Sequence, residues 1–243
     1  MTLARRLILM AAPAALFAAP AQAWPFNETV KGSGRIVTET RALSGYQGVT
    51  LRGPFKVVLR QSGREGVEVR ADDNLQALIE TAVVDGNTLR IGMKKGADLA
   101  GRNQVLVTVD LVSLRWLTLG GSGDVSGPGL KTTLLDVAIG GSGSLRLPDL
   151  QTRALSLSIG GSGHFESSGH TRKLSVVIGG SGDVQADALD ADEVSVSIGG
   201  SGGAQVHANK TLKVAIGGSG GVTYSGDPAV STSVAGSGTV KRR

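Results

Sequence analysis

Seven serines occupy the same place in a repeated four-residue word: Ser122, Ser142, Ser162, Ser181, Ser201, Ser219 and Ser237. The word is Gly-Gly-Ser-Gly in six copies and Ala-Gly-Ser-Gly in the seventh, at 235–238. A serine hydroxyl becomes a nucleophile only where a histidine and an acid converge on it. Every copy is equally eligible on paper, so none is singled out. Glycine-rich words also cradle phosphates, but that chemistry needs a Lys-Ser/Thr after the glycines and a following helix, and the word has neither. In "GGSGDV" an aspartate follows the glycines, as in calcium-binding repeats whose coils share ions. Calcium requires several oxygen ligands. The residues after successive words are Asp124, Ser144, His164, Asp183, Gly203, Gly221 and Thr239. Two carboxylates in non-adjacent copies do not build such a site.

The remaining chemistry-bearing residues are sparse. The three histidines are His164, His170 and His207, with no cysteine in the chain to complete a metal set. Asp187, Asp190, Asp192 and Glu193 form an acidic cluster that reads as a solvated turn. No catalytic, cofactor-binding or metal residue is assigned, and no cofactor is expected. The seven serines are assigned a structural role instead, as a ladder of hydroxyls stacked at one corner.

That assignment depends on what positions the words. They begin at 120, 140, 160, 179, 199, 217 and 235, a period of 18 to 20 residues that marks a solenoid rather than a Gly/Ser linker. Ahead of each word apolar residues alternate with small or polar ones: Leu135, Val137, Ile139; Leu155, Leu157, Ile159; Val194, Val196, Ile198. Period two is the signature of a half-buried strand. A second apolar column follows the words, running Val125, Leu145, Phe165, Val184, Ala204, Val222, Val240, and a third recurs at Leu130, Leu150 and Leu189. Short strands cannot make a stable sheet within one copy, but stacked coils pair each strand with its counterpart about 4.8 Å away. The expected fold is all-β: a single-stranded parallel β-helix, right-handed as parallel crossovers are, with coils of 18 to 20 residues. Each word is then a corner, where glycine meets either a positive φ or a close approach of stacked backbones.

The segments upstream are less regular. Residues 55–73 and 81–95 read as strand–turn–strand, with turns at Gly63-Arg64-Glu65-Gly66 and Asp85-Gly86-Asn87. Residues 74–80, "NLQALIE", fit either one helical turn or another inward strand. The organisation expected is a signal peptide at 1–23, an extension at 24–41 and one domain at 42–243. Within that domain lie irregular coils at 42–110 that cap the core, repeat coils at 111–240 and a basic tail at 241–243.

Arg5 and Arg6, the apolar run 7–19 and Ala21-Gln22-Ala23 have the order of a secretory leader with its cleavage site. Export is expected, to the periplasm or the cell surface, with no transmembrane segment after cleavage. The net charge of +5 comes from the two ends. Setting aside Arg5, Arg6 and the three basic residues of the tail leaves 20 Lys and Arg against 20 Asp and Glu. With 3% aromatic residues as well, neither a nucleic-acid footprint nor a stacking platform for bases or sugars is expected.

The stretches "YQGVTLRGPFKVVLRQS" (46–62), "VEVRADDNLQALIETAVVDGNTLRIGMKK" (67–95) and "VLVTVDLVSLRWLTLGGSGDV" (105–125), followed by the repeated words, resemble the head GIN domain family of putative autotransporter adhesins. The resemblance covers about residues 42–240. It implies an exported bacterial β-helix domain and supplies no catalytic residue to carry over. A C-terminal membrane barrel is not expected. The resulting expectation is a non-enzymatic cell-envelope module, adhesin-like or structural. It would present flat outer faces of Ser, Thr, Asp and Gln to an envelope protein, a polysaccharide or a second copy of itself. The alternative is a polysaccharide lyase or hydrolase, which would need carboxylates or basic residues clustered on one face.

Overall fold

The alternation ahead of each glycine word becomes a strand, and the strands stack. In the computed structural model, which describes residues 28–99 and 105–243, helix is confined to one turn, Asp73–Gln76. The rest is a β-solenoid of about six turns with a less regular N-terminal part. The expected signal peptide lies outside the described residues.

Two columns of parallel pairing run the length of the stack. On the first face the residue before each corner continues from coil to coil: Leu51 pairs with Leu119, Leu119 with Ile139, and the column proceeds through Ile159, Ile178, Ile198 and Ile216 to Val234. On the second face Val57, Val125, Leu145, Phe165, Val184, Ala204, Val222 and Val240 form the matching file. From Leu119 to Ile216 and from Val125 to Val222 both files are at most 3% exposed. Each buried Leu, Ile or Val contributes on the order of 1.5–3 kcal/mol relative to exposure. The stack therefore has an energetic reason to hold this register: a slip of one residue would turn the whole file outward.

The third face is carried by the middle of long strands that bend around the coil, such as Ser144–Ile159 and Asp183–Ile198. Leu130, Leu150 and Leu189 are buried there as the spacing predicts. The coil of 19 residues differs. Its third-face position is Gly169, in register with Leu150 and Leu189, at φ +115°, and a Cβ there would fall 2.2 Å from the Leu150 carbonyl oxygen. The same coil carries Phe165, the one aromatic in its file and fully buried.

The N-terminal part continues the core and then closes it. Gly48–Arg52 and Lys56–Gln61 sit one rung beyond the first repeat coil, and Thr88–Met93 and Leu106–Leu111 one rung further, all parallel. Pairing then becomes antiparallel. Gly66–Asp72 pairs with Leu106–Leu111, Ile36–Arg41 with Gly66–Asp72, and Ile79–Val84 with Thr88–Met93. The upstream segment is thus only partly built of coils. Antiparallel strands end the parallel ladder and cover its edge, which would otherwise present unpaired backbone groups. Residues 74–80 resolve into both readings in succession, the turn Asp73–Gln76 and then the strand from Ile79, with Leu75 and Ile79 buried. Ile36–Arg41, assigned from sequence to an extension, is a strand of the main sheet.

At the opposite end Ala229–Val234 and Thr239–Arg242 each pair with one strand only. Val230 and Val234, in register with buried Leu212 and Ile216, are 43% and 44% exposed.

Candidate binding surface

The words are corners, and the backbone ladder passes through them. The Ser162 amide donates to the Gly141 carbonyl at 3.2 Å, Ser181 to Gly161 at 3.1 Å, Ser201 to Gly180 at 3.1 Å and Ser219 to Gly200 at 3.1 Å. Corner carbonyls therefore lie directly against the next coil. A Cβ on the second glycine would come within 2.1 to 2.3 Å of the carbonyl oxygen below it at Gly141, Gly161, Gly180, Gly200 and Gly218. The first glycine has no such neighbour: at Gly160 and Gly179 a Cβ would meet nothing within 4 Å. This explains why the seventh copy can begin with Ala235. Of the two reasons expected for the glycines, close approach holds in all copies. Positive φ does not: none of the glycines in the six GGSG words has it, and Gly236 of the seventh copy alone does, at +124°.

The serine ladder requires a correction. All seven serines are exposed and lie at one corner, but among the described residues none of their hydroxyls is bonded to another. Identical side chains in register are spaced by the rung distance of about 4.8 Å. An O–H···O bond needs about 2.7–2.8 Å, so outward hydroxyls repeating at the rung distance do not reach one another. A hydroxyl ladder exists instead at a different corner and is built of threonines. Thr132, Thr152 and Thr171 are in register, followed by Ala191. Thr132 Oγ1 donates to the Leu114 carbonyl at 2.8 Å, Thr152 Oγ1 to Ala154 at 3.0 Å and Thr171 Oγ1 to Lys173 at 3.1 Å. Thr171 is fully buried. Each hydroxyl bonds a backbone carbonyl at this corner. The sequence carries this signal as threonines one coil apart.

The calcium position falls on one file, from Lys56 through Asp124, Ser144, His164, Asp183, Gly203 and Gly221 to Thr239. Ser144 and His164 stand between the two aspartates, and Lys56 flanks the first. Among the described residues no group of three or more His, Cys, Asp or Glu side chains is placed to hold a metal ion. The acidic cluster is dispersed: Asp187 pairs with Arg243 at 2.9 Å and Asp192 with Lys210 at 3.0 Å, Asp190 lies 3.4 Å from His170 Nδ1, and among the described residues Glu193 makes no ion pair. The hydrogen bond from Lys210 is the largest influence on the Asp192 carboxyl, whose pKa lies below the ordinary carboxylate value.

One polar relay crosses three coils at the third-face edge. His207 Nδ1 lies 2.8 Å from Ser225 Oγ, its Nε2 lies 3.1 Å from Asn209 Oδ1, and Asn209 Nδ2 donates to Asp190. The Asn209 amide nitrogen faces Asp190 and its oxygen faces the His207 ring. The residue types are those of acyl transfer, but Asn209 and Asp190 are exposed. The relay clasps the coils together. His164, in the file between Ser144 and Asp183, is not part of it.

Two shallow grooves run over the third-face corner. One, of about 460 Å³, is lined by residues including Lys131, Gln151, Arg153 and His170. The other, of about 410 Å³, is lined by Leu134, Arg153, Arg172, Lys173 and Glu193 among others. Apart from Arg172 and Lys173, these cations are not consecutive in the chain and make no local motif. Their signal is the coil period, 19 residues between Arg153 and Arg172.

The fold recurs in solved structures. A putative adhesin from Bacteroides fragilis superposes with a TM-score of 0.83 at 25% identity, covering 88% of this chain and all of that one. A putative lipid binding protein from Parabacteroides distasonis matches with a TM-score of 0.73 at 27% identity, over 89% of this chain and all of that one. A putative adhesin from Parabacteroides merdae shares the fold with a TM-score of 0.71 at 24% identity, over 88% and 99% of the two chains. Among curated proteins none matches. The sequence profile described as "Putative auto-transporter adhesin, head GIN domain" matches residues 45–228, a span that takes in the closed N-terminal part and all six Gly-Gly-Ser-Gly corners, and the chain belongs to that family.

Proposed function

We propose that this chain is a non-enzymatic, exported interaction module of the cell envelope, adhesin-like in action. The observation that carries the reading is the register itself. It repeats the same outward positions along one axis for about six turns, giving rigid, flat, polar faces suited to an extended partner. The family and the solved neighbours bear adhesin names, which accords with a cell-surface role. Among the described residues no helix is long and apolar enough to cross a membrane. Three of the four acids of the cluster are drawn to separate partners rather than to one point, which favours binding over the alternative of polysaccharide cleavage, because a lyase or hydrolase needs carboxylates poised together around a scissile bond.

Co-sedimentation of purified protein with washed envelope fragments tests the reading. Saturable association without release of soluble sugar is expected. No association, or polysaccharide turnover abolished by one carboxylate substitution, would overturn it.

A further inference from the structure

The corner of the third face carries cations without partners. Arg153 lies directly across the ladder from Arg172, since the pairs flanking them are Thr152 with Thr171 and Ala154 with Lys173. Lys173 follows Arg172, and Lys131 stands one rung before Gln151. All four are exposed, and among the described residues none of them forms an ion pair. Asp149 and Glu193 line the same grooves but pair with none of them. Of the acids of the next coil, Asp192 is engaged by Lys210 and Asp190 by His170 and Asn209, while Glu193, in register with Lys173, makes no ion pair. Like charges directly opposite on neighbouring strands destabilise a sheet. The fold therefore bears a local cost here that an anion would remove.

We propose that this corner binds a linear anionic polysaccharide laid along the solenoid axis, its carboxylate or sulfate groups meeting Lys131, then Arg153, then Arg172 and Lys173. Lys131, Arg153 and Arg172 lie on three successive coils, with Arg153 and Arg172 one rung of about 4.8 Å apart and Lys173 beside Arg172, so they form a line rather than a pocket, which suits a polymer better than a single small anion. The grooves also offer Gln151 and Thr133 as partners for sugar hydroxyls. No aromatic residue lines either groove, so the affinity rests on charge and hydrogen bonds and falls as salt rises. A lipid surface fits less well. Leu134, 46% exposed, is the only large apolar side chain lining the two grooves, too little to insert among acyl chains.

The proposal deepens the adhesin reading and rests on it. Its test is binding of the full chain to alginate, a linear uronate polymer, with neutral dextran and phosphatidylglycerol vesicles in parallel. The chain should bind alginate and neither of the others, more weakly at higher salt. R153Q/R172Q should weaken alginate binding by roughly tenfold or more, from the loss of two exposed charge contacts. K213Q, which removes a charge from the first face, should leave it unchanged. The double variant should also melt no lower than the parent, because it relieves a like-charge pair. Absence of alginate binding, or binding indifferent to R153Q/R172Q, refutes the proposal. Binding of vesicles alone would give the corner to a lipid surface, and a concentration-dependent dimer lost in R153Q/R172Q would give it to a second copy. If alginate fails while envelope fragments still bind, this assignment falls and the adhesin reading stands.

Discussion

Replacing the two neighbouring glycines of one corner, one at a time, should have opposite consequences. In Gly161→Ala the new Cβ falls 2.3 Å from the Gly141 carbonyl oxygen and 2.7 Å from that of Gly140. Both neighbours are backbone, so the coils must separate locally by roughly 1 Å, an overpacking that costs about 1–3 kcal/mol. The same movement strains the 3.2 Å bond from the Ser162 amide to Gly141, adding about 0.5–1.5 kcal/mol. In Gly160→Ala the new methyl meets nothing within 4 Å, and the shorter list of unfolded conformations favours folding by about 0.4–1 kcal/mol. The two variants, identical in composition, should therefore differ by about 2–5 kcal/mol. At about 2–4 °C per kcal/mol for a domain of this size, Gly161→Ala should melt roughly 4–20 °C below Gly160→Ala. Thermal and urea unfolding followed by circular dichroism would measure this. Ser162→Ala, which removes an exposed hydroxyl, should sit beside Gly160→Ala. Equal melting of the two glycine variants would refute the close-approach account of the corners.

Other perturbations follow from the same packing. Phe165→Ala should destabilise by about 3–5 kcal/mol, more than Val184→Ala one coil on, because the larger buried side chain leaves the larger cavity; equal losses in urea titrations would contradict this. Thr171→Val keeps the shape but removes the buried bond to the Lys173 carbonyl; a loss of about 1–3 kcal/mol is expected, and an unchanged midpoint would show that the threonine ladder carries no stability. Asp110 is pushed up by partial burial but held net below its ordinary value of 3.8 by hydrogen bonds from Arg60 and Ser62 and by the charges of Arg60 and Arg64. A carboxyl with a depressed folded pKa contributes stability above its unfolded pKa and loses it as pH falls through the folded value. Asp110→Asn should therefore melt below the parent at neutral pH, with the gap closing below about pH 4; a gap constant across that range would be inconsistent with the Arg60 pairing.

Periodicity alone determined the solenoid here. Leu135, Val137 and Ile139 alternate, and their counterparts return every 18 to 20 residues, so one strand pattern and one repeat length specify both the inward file and the stacking. The second file through Phe165 was legible for the same reason. The corner glycines were legible as corners, but the choice between positive φ and close approach was not, because it depends on how near the next coil's carbonyl comes. The serine column was readable and its bonding was not: a linear sequence shows that residues align, while the rung spacing decides whether their hydroxyls touch.

What tertiary structure alone decided lies at the ends and the third-face corner. The change from parallel to antiparallel pairing at Gly66–Asp72 and Ile79–Val84 leaves no periodic mark, since a strand's alternation is the same in either direction. The residues from Asp187 to Glu193 read as one acidic cluster, but bending of the strand around the coil and partners 18 to 56 residues distant draw Asp187, Asp190 and Asp192 apart. Arg153 and Arg172 looked unrelated until the coils set them side by side. Local alternation encodes which side of a strand is buried; which surface charges become neighbours, and which remain unmatched, is set by how the turns stack.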